Sequence, residues 1–296
     1  MTVDYKNFSL EELNQKFINA CVLGNLSELK YLLNDFSLRE YTNTINNKNE
    51  GLVIAAENGY LDMVVYLLSS ELNDPADIRY DNYKAFKMAC FNGNLDIVKY
   101  LLTSQDIKEI CNPCVSNGEG LKLACINGNL EVVRYLLTSP DLKSHPDITS
   151  ENNYAFDQAC FHGHVEVVKF ILFSDFTKNK IDISRNNYEC FRMACEMGKS
   201  EVVRFLLTSK IIKKKADIHA GHDYGFIWAC ENNHMELVNE LIFEHKIKKT
   251  KDIRDYILGS HIYKELNKMF DARDLNEKLK KNLQKNDKVE ERSGKI

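Results

Sequence analysis

Cys111 and Cys114 form the one Cys-x-x-Cys pair of the chain, a spacing that can supply half of a zinc site or a redox-active dithiol. A zinc site needs a second pair of ligands, and no other Cys-x-x-Cys or close Cys/His pair lies nearby in the sequence. The redox alternative needs a thioredoxin-like βαβ context. We therefore expect a loop with two incidental thiols that react sooner than the other cysteines, and no bound metal or cofactor.

His162 and His164, on either side of Gly163, are the second arrangement with metal-binding character. His164 directly follows a glycine that recurs along the chain, and His234 occupies the same place further on. The interpretation that we favour is a turn histidine bonded to the backbone. The sequence also lacks a nucleophile elbow, a phosphate-binding glycine loop and a paired-carboxylate motif, so it predicts no catalytic residues and no enzyme.

The elements that carry these side chains are repeated along the chain. Each repeat has a small pair of residues, two variable residues, a glycine and a branched-aliphatic run that usually ends in two leucines. A period this regular predicts a solenoid of stacked repeats in which function lies on an extended surface. The small pair begins at seven positions, 34 or 35 residues apart: Ala20, Ala55, Ala89, Ala124, Ala159, Ala194 and Ala229.

Two helical patterns follow one another in each repeat. In the third repeat, Phe86, Ala89 and Cys90 form an apolar face at i, i+3 and i+4. Gly93 should end this first helix in the left-handed conformation that glycine adopts readily. Residues 95–102 build the apolar face of a second helix. Because neither short helix can bury its stripe alone, the neighbouring repeats must cover it.

Composition places the chain in a reducing, aqueous compartment. Six of the nine cysteines occupy the second position of the small pair, where stacking would space them about 10 Å apart. A disulfide needs Cα atoms within about 7 Å, so these cysteines are expected to be small buried thiols. No apolar run approaches the roughly 18 residues that cross a bilayer, and the first residues lack a secretory signal pattern. We expect a cytoplasmic protein, or one in the host cytosol if it is a delivered effector.

Residues 124–137, Ala-Cys-Ile-Asn-Gly-Asn-Leu-Glu-Val-Val-Arg-Tyr-Leu-Leu, resemble the small pair, glycine turn and second helix of the ankyrin repeat. Residues 76–78 and 216–218, both Ala-Asp-Ile, resemble the segment that enters the ankyrin β-hairpin. The resemblance covers roughly residues 9–252 and is specific because it recurs. This form of the repeat is most similar to arrays of intracellular bacteria and large amoebal viruses, which often act inside a eukaryotic host.

The resemblance implies an all-α, ankyrin-type helical solenoid of seven repeats with stunted hairpins and a C-terminal helical cap. The hairpins are expected to be stunted because only 12 residues separate Asp77 from Ala89. We expect a repeat array over residues 1–252, with its first helix near residue 9, a helical cap over 253–276 and a frayed or disordered polar tail over 277–296. The protein is expected to be a monomer.

An apolar strip is the main candidate binding site. The residue after the small pair points away from the buried side of the first helix, and the resemblance implies that this position lines the concave groove used for binding. Lateral packing between first helices is the alternative role for these residues. The apolar strip comprises Met88, Phe91, Leu123, Ile126 and Phe161.

A lysine ridge is the second candidate, because basic residues cluster in two loops one repeat apart. It would suit an acidic protein, a phosphoinositide surface or RNA, against the alternative of a solvated loop. Aromatic residues do not interleave the lysines, so nucleic acid is the least favoured of the three. The lysine ridge comprises Lys210, Lys213, Lys214, Lys215, Lys246, Lys248, Lys249 and Lys251.

Together, these features predict a non-catalytic protein–protein interaction scaffold that binds its partner in the concave groove. The resemblance adds the hypothesis of a pathogen effector that acts on a eukaryotic host protein. The alternative is a peripheral membrane adaptor that binds phosphoinositides or other anionic lipids through the lysine ridge.

Overall fold

A computed structural model describes residues 8–34, 45–72, 74–177, 180–212 and 214–293 of the chain. Throughout these residues the regular elements are helices and no strand is present, which confirms the prediction of an all-α, ankyrin-type helical solenoid. The chain divides into two compact units, Met1–Ile181 and Asp182–Ile296. The N-terminal unit holds the first five repeats, and the C-terminal unit holds the last two.

Each repeat in the described residues forms a pair of short helices, as the two apolar patterns predict. In the N-terminal unit these pairs are α1 Leu10–Leu23 with α2 Leu26–Asn34, α3 Ile45–Asn58 with α4 Leu61–Leu68, α5 Tyr80–Asn92 with α6 Leu95–Thr103, α7 Val115–Ile126 with α8 Leu130–Thr138, and α9 Ser150–His162 with α10 Val165–Phe173. In the C-terminal unit they are α11 Arg185–Glu196 with α12 Ser200–Thr208 and α13 Ala220–Glu231 with α14 Met235–Phe243, followed by α15 Lys251–Gly259 and α16 Tyr263–Ser293.

The glycine turn after each first helix has the geometry that the sequence predicts. Gly93 has a φ of 77°, and the N–H of the next residue, Asn94, donates to the carbonyl of Ala89 at 2.9 Å. This bond, from one residue beyond the turn back to the small pair, defines a Schellman-type helix end. It recurs in all seven repeats at 2.8–2.9 Å, including the last, where Asn233 takes the glycine's place with a φ of 59°.

In repeats two to five and in repeat seven, the residue after the turn also bonds to a backbone carbonyl of the preceding repeat. Asn94 donates from Nδ2 to the carbonyl of Ala56 at 2.8 Å. Nε2 of His164 lies 2.8 Å from the carbonyl of Ile126, and Nε2 of His234 lies 2.9 Å from that of Glu196. These contacts confirm that the two histidines bond the backbone, with the proton on Nε2.

Close approach of neighbouring first helices depends on small residues in the core. Both members of each small pair are at most 1% exposed. Gly120 of α7 lies against α5, where an added Cβ would be 2.6 Å from Cε1 of Phe86. The same relation holds in the first two repeats, where a Cβ at Gly51 would meet the Phe17 ring at 2.9 Å. The first helices are therefore packed as tightly as their side chains permit.

A left-handed turn replaces the β-hairpin before the first helix of repeats three to seven. In α5, residues 81–83 have φ values of 47°, 56° and 61°, so the right-handed helix starts only after Tyr83. An Asx turn precedes it, in which Oδ1 of Asp77 accepts from the N–H of Arg79 at 2.9 Å. The equivalent turns occupy 116–118, 151–153, 186–188 and 221–223, with their Asx residues at Asn112, Asp147, Asp182 and Asp217.

The C-terminal helices attach to the last repeat through the carboxylate of Asp223, which is 2% exposed. Thr250 donates its hydroxyl to Asp223 and accepts the N–H of Ile253 at 3.2 Å, so it caps α15 while it anchors that helix. Phe270 of α16 packs against Phe226, with ring centroids 5.9 Å apart. The proposed division into array, cap and tail stays a prediction.

The tail differs from the frayed or disordered segment that we expected over residues 277–296. In the structure α16 continues to Ser293, so most of this segment is helical. The residues are polar, but Lys, Glu, Leu and Gln are strong helix formers that need no packed face. Glu277 also pairs with Lys246 at 3.0 Å, which holds the first part of the tail against the last repeat.

A row of cations and aromatic rings joins the second helices. The Arg134 guanidinium lies 4.6 Å from the centroid of Phe170, one repeat further on. In the last repeat Glu240 takes the aromatic position, and Arg204 donates to it from Nε at 2.9 Å and from Nη2 at 3.0 Å. His245 lies on the other side, with Nε2 3.2 Å from Oε1 of Glu240. Replacement of a ring by a carboxylate therefore exchanges a cation–π contact for a bidentate ion pair.

We expect Gly128→Ala to destabilise the array by about 2–3 kcal/mol, from left-handed strain and a displaced histidine contact. Gly128 has a φ of 75°, and an added Cβ would lie 2.3 Å from Nδ1 of His164. Gly259→Ala is the matched control, because no atom lies within 4 Å of its Cβ position. Urea unfolding followed by circular dichroism measures both, and equal midpoints for the two variants would contradict the turn argument.

We expect the stability contributed by Glu240 to depend on pH. The hydrogen bond from Arg204 lowers the pKa of this carboxyl, so its contribution is complete above the unfolded pKa of about 4.3 and is lost as the pH falls through the lower folded value. Glu240→Gln should cost about 1 kcal/mol at neutral pH, and this cost should shrink as the pH falls below the unfolded pKa of about 4.3. Glu236→Gln, an exposed change on the same helix, is the control for urea unfolding at both pH values. A cost that does not vary with pH would refute the assignment.

Candidate partner-binding surface

The apolar strip lies on the first helices α5, α7 and α9 of the N-terminal unit. Phe91, Ile126 and Phe161 are each half-buried, whereas helix geometry had predicted open exposure. The close approach of first helices, as at Gly120 of α7 against α5, is consistent with this partial burial. The Phe161 ring also meets His162 edge-on, with the ring centroids 5.1 Å apart.

Met88 and Leu123 lie on the same helix face as the larger side chains of the strip. Each precedes its partner, Phe91 or Ile126, by three residues, and each is half-buried. In the fifth repeat the polar Gln158 stands at this position, so the second row ends there. The strip therefore has two rows in repeats three and four and a single ring in repeat five.

Polar residues border the strip toward the left-handed turns. Lys87 pairs with Glu119 of the next repeat at 3.5 Å. Lys122 is largely buried and pairs with Glu151, again one repeat further on. In these pairs the lysine and glutamate charges balance each other, and the side chains remain polar. The strip is therefore an apolar band with a polar rim, as in many protein interfaces.

Backbone polar groups beneath the strip are satisfied from the next repeat. The carbonyl of Phe91 accepts from Nδ2 of Asn127 at 2.8 Å and from Nδ2 of Asn129 at 2.5 Å. The carbonyl of Ile126 accepts from His164 in the same way. The helix ends that carry the strip are therefore fixed in position, and a partner would meet a preformed surface.

The lysine ridge is partly engaged in local contacts. Lys214 donates to Oγ of Ser184 at 2.8 Å, Lys246 pairs with Glu277 at 3.0 Å, and Lys249 donates to Oδ1 of Asn267 at 2.5 Å. Lys213 falls outside the described residues. The exposed members without an ion pair or a side-chain hydrogen bond in the described residues are Lys210, Lys215, Lys248 and Lys251.

The two thiols of the Cys-x-x-Cys pair differ in burial. Cys111 is 3% exposed, and burial raises the pKa of its thiol well above the ordinary value, so the expectation that it reacts early is wrong. Its backbone N–H donates to the carbonyl of Leu101 at 2.8 Å, which holds this part of the loop against α6. Cys114 is half-buried, and its thiol lies 3.7 Å from Oγ of Ser144. In the residues that the structure describes, no group of three or more metal-binding side chains comes together.

One constellation combines a hydroxyl, a carboxylate and an imidazole. Asp223 bridges Thr250 and His219, and His219 Nδ1 lies 2.6 Å from Oδ1 of Asp223. The imidazole contacts the carboxylate and not the hydroxyl, so the hydroxyl–imidazole–carboxylate order of a catalytic triad is not formed. The arrangement anchors α15 and gives no support for catalysis.

The C-terminal unit also contains a stacked aromatic pair that the sequence pattern did not predict. Tyr224 and Trp228 of α13 stack with ring centroids 5.4 Å apart and an angle of 2° between their planes. Tyr224 is 44% exposed and Trp228 is half-buried. The sequence did contain an indication of it, because Trp228 directly precedes the small pair, as Met88 and Leu123 do. This position places the Trp228 ring on the same face of the first helix.

Family comparisons agree with the repeat geometry. A family model described as ankyrin repeats (3 copies) matches residues 17–111, and one described as ankyrin repeats (many copies) matches residues 121–172. This chain is an ankyrin-repeat protein. All five residues of the apolar strip lie within the two matched segments. A comparison with curated proteins gives no match.

Ankyrin repeats generally mediate protein–protein interactions, and the family is typically non-catalytic. The helix pairs, the glycine turns and the cross-repeat bonds of this ankyrin-repeat protein continue beyond residue 172 into the C-terminal unit. Within the described part of the chain, no helix is both long enough and apolar enough to cross a membrane.

Proposed function

We propose that this ankyrin-repeat protein is a non-catalytic scaffold that binds a protein partner along the apolar strip. The observation that carries the proposal is the run of Phe91, Ile126 and Phe161 at one register position on three consecutive first helices. Met88 and Leu123 widen the band. Such a surface suits a partner that presents two or three apolar side chains to repeats three, four and five.

The register position itself argues against a purely structural role for these residues. Repeats two, six and seven place Glu57, Glu196 and Glu231 there, and their helix pairs form normally. Glu57 and Glu231 are exposed. Since the fold accepts a carboxylate at this position, packing between first helices does not require an apolar side chain. Three apolar residues in succession therefore favour a contact with another molecule.

A host protein is the partner that we propose, since the sequence resembles arrays that act inside eukaryotic cells. The chain would then work as a monomeric effector in the host cytosol, by sequestering, recruiting or displacing its target. Support for this origin comes from the resemblance alone, whereas the strip supports binding of an apolar protein surface whatever its source.

We expect Phe91→Glu/Phe161→Glu to weaken partner binding and to leave the array folded. The variant copies the residue that other repeats carry at this position, so thermal unfolding should stay close to wild type. Loss of two apolar anchors of about 1–2 kcal/mol each should weaken binding roughly 10²-fold. Capture from a eukaryotic lysate on immobilised wild-type and variant protein, followed by titration of the differentially retained protein, measures the effect.

Phe176→Glu is the matched control, because Phe176 is 57% exposed and lies outside the strip. It should retain every partner that wild type retains. Equal retention by the double variant would place the binding site elsewhere. Unfolding of the double variant at ambient temperature would instead assign the strip to the core.

The lysine ridge supports a second candidate function, a peripheral membrane adaptor. Four exposed lysines without an ion pair in the described residues favour it, at about 1 kcal/mol for each residue near an anionic surface. Co-sedimentation with vesicles containing phosphatidylserine and a phosphoinositide is the expected result. Lys248→Glu/Lys251→Glu should abolish co-sedimentation and Phe91→Glu/Phe161→Glu should not. No sedimentation of wild type at low salt would rule this function out.

A further inference from the structure

We infer that the C-terminal unit carries a second binding surface, centred on Tyr224 and Trp228, for an arginine-containing segment of a protein. The two rings stack in parallel on α13 and leave Tyr224 44% exposed. Planar guanidinium groups stack on aromatic faces and bind carboxylates through two hydrogen bonds. The inference uses residues of the C-terminal unit alone and is independent of the apolar strip.

Arg192 already shows how such a cation would bind. Its guanidinium carbon lies 5.6 Å from the Trp228 ring centroid. The same group donates from Nε to the carbonyl of Asn187 at 3.1 Å and from Nη2 to that of Asn186 at 2.9 Å. Arg192 is thus committed to the left-handed turn of its own repeat and to Trp228, and Tyr224 supplies the remaining exposed ring.

Two carboxylates beside the rings provide the charge complement. Glu231 is exposed and lies seven residues after Tyr224, on the same face of α13. Glu196 is half-buried and holds the equivalent position on α11. The side chains of these two glutamates form no ion pair or hydrogen bond among the residues that the structure describes. Unpaired carboxylates next to an exposed ring favour a cationic partner over an acidic or a purely apolar one.

The fold does not require these aromatic residues. At the register position of Tyr224, repeats three and four carry Lys84 and Glu119. At that of Trp228, they carry Met88 and Leu123. Other side chains therefore satisfy helix packing at both positions, and the stacked pair is a local feature of the last repeat.

The distance between Tyr224 and Glu231 defines the spacing of the arginines that the partner would need. Seven helical residues separate Tyr224 from Glu231, or about 10 Å along the axis. Three residues of extended chain cover the same distance. A segment with arginines at i and i+3 can therefore place one guanidinium on the Tyr224 ring and the other on the Glu231 carboxylate.

Trp228 is the single tryptophan of the chain, so its fluorescence reports directly on this surface. The probe is the peptide acetyl-(Gly-Arg-Ser)₄-amide, titrated into the full chain at low salt. We expect a saturable change in intensity or emission maximum with a dissociation constant below about 1 mM. The affinity should fall as NaCl rises from about 0.05 M to about 0.5 M, because the charges lie at the surface.

Two variants and one control test the assignment. Tyr224→Leu and Glu231→Gln should each weaken binding roughly two- to five-fold, the range expected for one exposed cation–π contact or ion pair. Glu236→Gln removes an exposed charge from α14 and should leave the affinity unchanged. The peptide acetyl-(Gly-Lys-Ser)₄-amide should bind more weakly than the arginine peptide, because an ammonium group does not stack or bind a carboxylate bidentately.

Three results would overturn the inference. The first is the absence of any saturable change in Trp228 fluorescence at millimolar arginine peptide. The second is an equal response to acetyl-(Gly-Glu-Ser)₄-amide. The third is unchanged affinity in both Tyr224→Leu and Glu231→Gln, with circular dichroism confirming that the variants remain folded.

Discussion

In repeats two to five and in repeat seven, one side chain after the turn connects the repeat to the repeat before it. A helix end exposes carbonyl groups that have no partner within the helix. Here the next repeat supplies the donor: the Tyr60 hydroxyl lies 3.2 Å from the carbonyl of Val22, and Asn129 bonds the carbonyls of Cys90 and Phe91. In the first repeat, Asn25 instead caps the following helix by accepting from the N–H of Glu28 at 3.1 Å.

This connection constrains both the turn and the binding face. The donor can reach its carbonyl only if the turn residue has no Cβ in its path, as the contact of His164 with Gly128 shows. It also fixes the helix end directly beneath the apolar strip, because the carbonyls of Phe91 and Ile126 are the accepting groups. The stability of the array and the proposed recognition therefore depend on the same few atoms, while the side chain at the strip position varies between phenylalanine and glutamate.

Local pattern predicted most of the architecture. The recurring small pair, the glycine and the two apolar stripes were sufficient to predict the helix pairs and the left-handed glycine that ends most of the first helices. They also predicted the buried thiols of Cys90 and its equivalents. The two turn histidines were assigned correctly because a histidine after a turn glycine has a backbone carbonyl within reach.

The errors concern burial, backbone conformation and ring orientation, which a helical period alone does not determine. Phe91 is half-buried because Gly120 lets the next helix approach closely. Cys111 is buried by the fold of its loop, which no helical periodicity describes. The left-handed turns that precede the first helices were not predicted, although the Asn-rich segments at 152–153 and 186–187 favour positive φ. The stack of Tyr224 on Trp228 needed coordinates, since spacing alone does not give ring orientation.

The left-handed turns have a consequence for how the array can change in length. Each holds three residues in a conformation that costs L-residues about 1–2 kcal/mol apiece, and part of that cost is offset by the adjacent turn, as when Asn82 donates to Oγ of Ser116 at 2.7 Å. Inserting or deleting a few residues would misalign a turn with both neighbours at once. Viable length variants should therefore differ by whole repeats. Duplication of the gene segment that encodes one repeat of 35 residues is the genetic change that this geometry tolerates best.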